Sequence, residues 1–256
     1  SALVPAMALL YLGSGTAVLL CNWSKIPGAL GLILSCALSP SAAAAGGAGW
    51  TVSAALRYGV ARGVFTNEAG LGTSAMAHGA AQADHPAQQG MWGVFEVFLS
   101  TLLVCTVTAL SILVSGVWTP ASPGALTGAP LTAAAFASVL GPFGSGAAAL
   151  SLLLFAFSSI LGWSYYGAQC LEFLSGKRLL PAYRTLFLLC TLAGAVWSPQ
   201  VIWHLVDLCN ALMALPNLWA LLLLAPQALA LLQQWKHRAN GKKSQNFKAH
   251  KLEKNY

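Results

Sequence analysis

Gly63-Val64-Phe65-Thr66-Asn67-Glu68-Ala69-Gly70-Leu71-Gly72-Thr73 lies at the centre of a moderately apolar stretch, residues 50–83, that also carries Arg57 and Arg62. A continuous helix facing lipid would not tolerate this run of charge and glycine, because backbone groups left unpaired in hydrocarbon are costly. A helix broken in mid-membrane tolerates it, provided the unwound backbone lines a cavity. The stretch therefore predicts an all-α integral membrane protein with one interrupted transmembrane helix.

Composition agrees with that reading. Hydrophobic residues make up 57% of the 256 residues and charged residues only 7%, against about 25% charged in soluble domains. So few charges cannot cover a water-soluble globule. A soluble enzyme, a nucleic-acid binder and a disulfide-stapled secreted domain are all excluded. Cys21, Cys36, Cys105, Cys170, Cys190 and Cys209 are scattered singly without ligand spacing, which predicts free thiols. The chain enters an apolar run directly from Ser1 with no basic leader; the expectation is the interior of a larger protein, without a secretory signal.

A span needs about 20 apolar residues. Six are expected: 3–20, 50–83 (broken), 91–117, 146–174, 183–198 and 217–234, together forming a transmembrane domain over 1–235. His204, Asp207 and Asn210 recur every third residue between the last two spans. That stripe predicts an amphipathic helix at the membrane interface with its polar face outward. Residues 236–256 read as a basic tail, with seven of the thirteen Lys and Arg: Lys236, Arg238, Lys242, Lys243, Lys248, Lys251 and Lys254. Lys177, Arg178 and Arg184 mark a second basic loop, whereas the loops 118–145 and 199–216 hold no Lys or Arg. The asymmetry predicts a cytoplasmic C-terminus in the inner (plasma) membrane of a bacterium, with lipid headgroups a further partner of the tail.

Ionisable groups inside a membrane usually mark a transport path. Glu68 beside Asn67 is the foremost candidate, as a coupling residue or as a structural partner of Arg57 or Arg62. A break there leaves a helix N-terminus after Gly70–Gly72, positive and rich in free N–H groups, which suits a carboxylate. The second polar focus is Ser158-Ser159, with Trp163 one turn beyond Ser159 on the same face. Adjacent hydroxyls under an aromatic lid fit a small zwitterion and a hard cation such as sodium; alternatively, the serines bond back to their own helix and Trp163 is core. His78 and His85 are expected in a solvated inner loop, and Glu96 in the first turn of its helix, where a carboxylate suits the dipole. No HExxH, GxSxG or P-loop is present. An enzyme is not expected, and neither is an organic cofactor.

Five blocks in order carry a resemblance: Arg62–Gly72 with Ala77-His78; Pro86–Gly90; Cys105–Leu110; FAFSSILGWSYYG at 155–167; and Asn210–Leu218. The chain resembles the alanine or glycine:cation symporter family over nearly its whole length. The resemblance implies a five-plus-five inverted-repeat transporter fold, with substrate and sodium held at mid-membrane between discontinuous helices. On that plan residues 3–20 match the fifth core helix, the broken segment the sixth, and the remaining spans the seventh to tenth. The first four core helices would then be partners supplied from outside this chain. Thr66 stands where the family commonly has Ser, and Ser159 where it has Thr; both keep the hydroxyl. Ser100 and Ala168 replace acidic residues.

The resulting expectation is sodium-coupled symport of a small neutral amino acid, alanine or glycine. Its binding residues would be Thr66, Asn67, Gly70, Leu71, Gly72, Ser159 and Trp163. Ser158 and Ser159 would hold sodium, and Glu68 and Arg62 would serve coupling or structure. The rival is an inert truncated product or a non-transporting membrane interaction protein, because half of such a site would lie elsewhere.

Overall fold

Apolar runs become helices of membrane length, and the exceptions carry most of the information. In this computed structural model the backbone is described for residues 3–38, 52–68, 70–119 and 126–253, and side chains for 4–35, 59–68, 70–119 and 126–238. The elements are α1 (Leu3–Cys21), α2 (Ile26–Leu38), α3 (Val52–Asn67), α4 (Thr73–Gly79), α5 (Pro86–Val97), α6 (Thr106–Ser115), α7 (Gly128–Ser175), α8 (Leu180–Val196) and α9 (Pro199–Glu253). A π-helical stretch, Phe98–Cys105, fuses α5 to α6. Among the described residues four helical stretches are long and apolar enough to cross a bilayer: Val4–Cys21, Pro86–Ser115, Gly128–Val196 and Pro199–Arg238. The protein is an all-α membrane protein. Leu9, Leu20, Phe173, Leu222 and Trp219 all stand more than two-thirds exposed, a surface suited to lipid rather than water.

Three expectations on boundaries change. Asn22–Lys25 is a brief turn, after which α2 is helical from Ile26, so helix resumes soon after the first expected span at 3–20. Lys25 Nζ donates to the Val114 carbonyl at 3.3 Å, so it satisfies an orphan acceptor in the last turn of α6. The expected loop 118–145 is helical from Gly128 onward. Gly141, at φ 63° and ψ −149°, interrupts that helix, and Pro142 removes a further N–H donor. The chain bends there without leaving the helix for long. Finally, α9 runs from Pro199 through Pro216 and Pro226 to Glu253. The interfacial helix, the last span and the basic tail thus share one helical backbone.

The chain forms two compact units: Ser1–Asn67 with Phe98–Ser198, and Glu68–Val97 with Pro199–Tyr256. In the first unit, α1 packs on α6 and α7. Tyr11, Val18, Leu110, Val114, Phe136 and Ala148 form its buried core. Phe136 stacks on Tyr11 at 5.6 Å and Phe155 meets Tyr11 edge-on at 5.7 Å, geometries worth about 0.5–1.5 kcal/mol each beyond area burial. Thr108 Oγ1 donates to the Val104 carbonyl at 2.7 Å, so the Tyr11 hydroxyl is the donor in its 2.6 Å bond to Thr108. A buried phenol needs such a partner.

In the second unit, α5 packs on α4 and α9. His85 is buried rather than solvated, 9% exposed. Its Nδ1 accepts the Ala87 N–H at 3.2 Å, capping α5 ahead of Pro86. His78 is likewise engaged: Gln89 Nε2 lies 2.8 Å from its Nδ1, and Glu96 Oε2 lies 3.5 Å from its Nε2. The expected solvated loop is in fact a pinned hairpin. Glu96 lies near the end of α5, not in its first turn, so dipole stabilisation does not explain it; His78 is its neighbour. Asn210 is buried, 9% exposed, so it is not on an outward polar face.

Candidate functional site

The helix is interrupted after Asn67. α3 ends at Asn67, and α4 begins at Thr73. Glu68 takes φ 49°, Gly70 φ 73° and Gly72 φ 86°. Three left-handed residues within five cannot continue a right-handed helix. Two are glycine, which adopts this region freely; Glu68 is not, and holding it there costs of order 1–3 kcal/mol. The Leu71 N–H returns to the Glu68 carbonyl at 3.2 Å, closing a tight turn.

In the first unit the Asn67 amide is held by the π-helical stretch. Thr101 Oγ1 donates to Asn67 Oδ1 at 2.6 Å, and Ser100 Oγ does so at 3.4 Å. A π turn carries one more residue per hydrogen-bonded ring than an α turn and often lies at functional sites. With Oδ1 occupied by two hydroxyls, the Nδ2 group is left as a double donor. One turn upstream of the break, Phe65 stacks on Trp163 at 6.4 Å with planes 24° apart. Trp163 also meets Tyr166 edge-on at 6.2 Å. Phe65 and Trp163 are thus brought together, tying α3 to α7.

The serine pair divides. Ser158 Oγ donates to the Phe155 carbonyl at 2.9 Å, the back-bonded arrangement that the sequence had left open. Ser159, one residue on, is exposed on α7. Thr66 is exposed at the end of α3, and Arg62 is half-buried one turn earlier. The Arg57 side chain lies outside the described residues, so its pairing with Glu68 does too.

In the second unit, Leu71 is buried, 4% exposed. A Cβ on Gly70 would come 3.3 Å from Leu218 Cδ2, and one on Gly72 would come 2.9 Å from Asn217 Oδ1. The break is therefore packed closely against the Asn217-Leu218 step of α9. Thr73, the first residue of α4, is 2% exposed, and its Oγ1 has no hydrogen-bond partner among the described residues. A buried orphan hydroxyl beside unwound backbone is ready to bond a ligand atom.

Four residues were absent from the sequence-based site: Ser100, Thr101, Thr73 and Asn217. Ser100 and Thr101 carried a readable signal, two adjacent hydroxyls inside an apolar span. Thr73 and Asn217 did not, since their importance lies in burial and in approach to glycine. Among the described residues no group of three or more His, Cys, Asp or Glu is placed to hold a metal ion.

Comparison with known proteins places this geometry in context. The family model described as the sodium:alanine symporter family matches residues 1–249. The "Sodium/alanine symporter AgcS" of Methanococcus maripaludis is 42% identical over 87% of the chain and 48% of its own length. The "Probable sodium/glutamine symporter GlnT" of Bacillus subtilis is 37% identical over 96% of the chain and 50% of its own length. A "Putative sodium/proton-dependent alanine carrier protein YrbD", also of Bacillus subtilis, is 32% identical over 92% and 51%. The chain spans about half the length of these relatives. With the family model covering nearly all of it, the chain belongs to the sodium:alanine symporter family, a family of transporters and not of enzymes.

Proposed function

We propose that the intact protein carrying this sequence symports a small neutral amino acid, alanine or glycine, with sodium across the bacterial inner membrane. The observation that carries the reading is the break between Asn67 and Thr73, with its three left-handed residues and buried polar groups. The relatives' names support the chemical class: one is described as an alanine symporter and another as a probable glutamine symporter.

Each part of the zwitterion then has a counterpart. The carboxylate is matched by backbone N–H groups freed at Gly70–Gly72 and by the Asn67 Nδ2 donor pair. The ammonium is matched by carbonyls of the unwound turn, and the small side chain by Leu71. Trp163, stacked on Phe65, is the aromatic wall that the first unit offers to the substrate. Ser159 and backbone carbonyls supply oxygen ligands to sodium. Ser158 is the weaker ligand, because its proton is directed at Phe155. Glu68 and Arg62 set the local charge for coupling. A five-plus-five inverted-repeat fold would bring the remaining core helices from the rest of the intact protein, and with six spans here the basic C-terminus is cytoplasmic.

Sodium binding lowers the free energy of the substrate-competent state, so affinity for the amino acid rises with sodium and the converse holds by linkage. Scintillation proximity with labelled alanine on the purified intact protein tests the reading. Alanine binding that rises with sodium and is competed by glycine is expected. Equal binding with and without sodium would overturn the coupling, and no binding of either amino acid would overturn the substrate class.

A further inference from the structure

Within the second unit, Gln88, Met91, Trp92 and Phe95 lie at positions i, i+3, i+4 and i+7 of α5, and so share one helix face. With Trp235 of α9 they line a groove of about 320 Å³. Its walls are apolar along Met91, Trp92 and Phe95, which stand 55%, 57% and 49% exposed. Gln88 and Trp235 border it largely with carbon surface. From Gln88 to Phe95 the α5 axis advances about 10 Å at 1.5 Å per residue, and the lining is apolar along nearly all of that length.

Cationic side chains follow immediately on α9. Lys236 and Arg238 are exposed, lie within one turn of Trp235, and make no ion pair among the described residues. Five further lysines follow between 242 and 254. α5 begins at Pro86, two residues before the groove residue Gln88, and the helix dipole is positive there. Glu96, next to Phe95, faces His78 at 3.5 Å, and Asp84, just before α5, is exposed; against these two carboxylates stand Lys236, Arg238 and the five lysines that follow in sequence. Tryptophan favours the membrane–water boundary, where an apolar ring and a polar N–H are both satisfied.

We propose that this groove is a binding site for an anionic phospholipid, with an acyl chain against Met91, Trp92 and Phe95 and the phosphate held by Lys236, Arg238 and the Trp235 indole. The occupant must be amphiphilic because an apolar groove lies beside exposed cations. It must be anionic because Lys236 and Arg238 directly follow the groove residue Trp235 and a basic tail follows them. A neutral lipid would fill the groove and leave those cations without a partner. The site is separate from the break and does not depend on which amino acid is carried.

The test uses the intact protein in phosphatidylcholine nanodiscs doped with either phosphatidylglycerol or phosphatidylcholine bearing brominated chains, which quench indole fluorescence on contact. The contribution of Trp235 is the difference between the parent and Trp235→Phe. Phosphatidylglycerol should reach half-quenching at about one-tenth the mole fraction needed for phosphatidylcholine, given the attraction of each cation near the surface. In Lys236→Gln/Arg238→Gln the two lipids should come within about twofold, and Lys236→Arg should keep the preference. Met91→Ala/Phe95→Ala should weaken quenching by both lipids. Equal half-points in the parent would overturn the proposal. So would a preference that survives the double charge variant, or quenching that ignores the groove variants. Absence of any Trp235 quenching would assign the groove to a protein segment instead.

Discussion

The chain interrupts its helices in two very different ways. At Gly141-Pro142, α7 bends through one glycine at φ 63° and one missing N–H donor. A Cβ on Gly141 would meet nothing within 4 Å, so the bend packs closely on no other part of the chain. At Glu68–Gly72 the interruption uses three left-handed residues, one of them a strained glutamate, flanked by an asparagine and a buried threonine hydroxyl. Both breaks remove helical hydrogen bonds. Beside the second, a buried side-chain hydroxyl, that of Thr73, is also without a partner among the described residues. Loss of helix alone therefore does not tell the two apart; an underused polar side chain beside the break does.

The sharpest test of that contrast sets Gly70→Val against Gly141→Ala. A β-branched residue at φ 73° is strained, and its Cβ would meet Leu218. Alanine binding should fall at least about 100-fold, to below detection. Gly141→Ala should lower the thermal midpoint, since its φ and ψ cost roughly 1–3 kcal/mol for a non-glycine, while alanine affinity in the surviving fold stays within about twofold. Equal loss of binding in both variants would erase the distinction between bend and site.

Trp163→Ala should come next. Removing the ring leaves Phe65 without its partner and enlarges the cavity, a change whose cost is about 3 kcal/mol for a large-to-small aromatic substitution. Roughly a 100-fold rise in the alanine Kd is expected by equilibrium binding. Thr101→Val is isosteric and removes only the 2.6 Å donor to Asn67. About 1 kcal/mol is at stake, so affinity should weaken about fivefold with little change in thermal stability. Binding like the parent's would release Asn67 from the site. Ser159 should show the smallest effect. Ser159→Ala should raise the sodium concentration for half-maximal alanine binding a few-fold, and Ser159→Thr, which keeps the hydroxyl, should not. No shift in Ser159→Ala would move sodium elsewhere.

How much of this was legible beforehand follows from the kind of signal each feature leaves. The interrupted helix was readable because Glu68, Gly70 and Gly72 are local: their chemistry contradicts a lipid-facing helix wherever they fold. The Phe65–Trp163 stack and the Asn67–Thr101 bond were not, because they join residues far apart in the chain through tertiary packing. His78 and Glu96 were placed by loop and dipole rules that tertiary contact overrode. α2 was missed because Asn22-Trp23-Ser24-Lys25 reads as loop, and the start of α7 because Gly141-Pro142 reads as a terminus when it is a bend. Punctuating residues identify where a helix is disturbed, not whether the chain resumes it.

The π-helical stretch Phe98–Cys105 also works as a phase setter. Upstream, it presents Ser100 and Thr101 to Asn67; downstream, the same helix presents Thr108 to Tyr11 in the core. An α-helix advances about 100° per residue, so the angular offset between these two duties is fixed by the number of residues wound into the wide turn. Deleting one residue between Leu102 and Cys105 would tighten the stretch toward α and rotate Thr108 by about that angle, out of reach of Tyr11. The surplus residue is a spacer that lets one continuous helix keep both appointments.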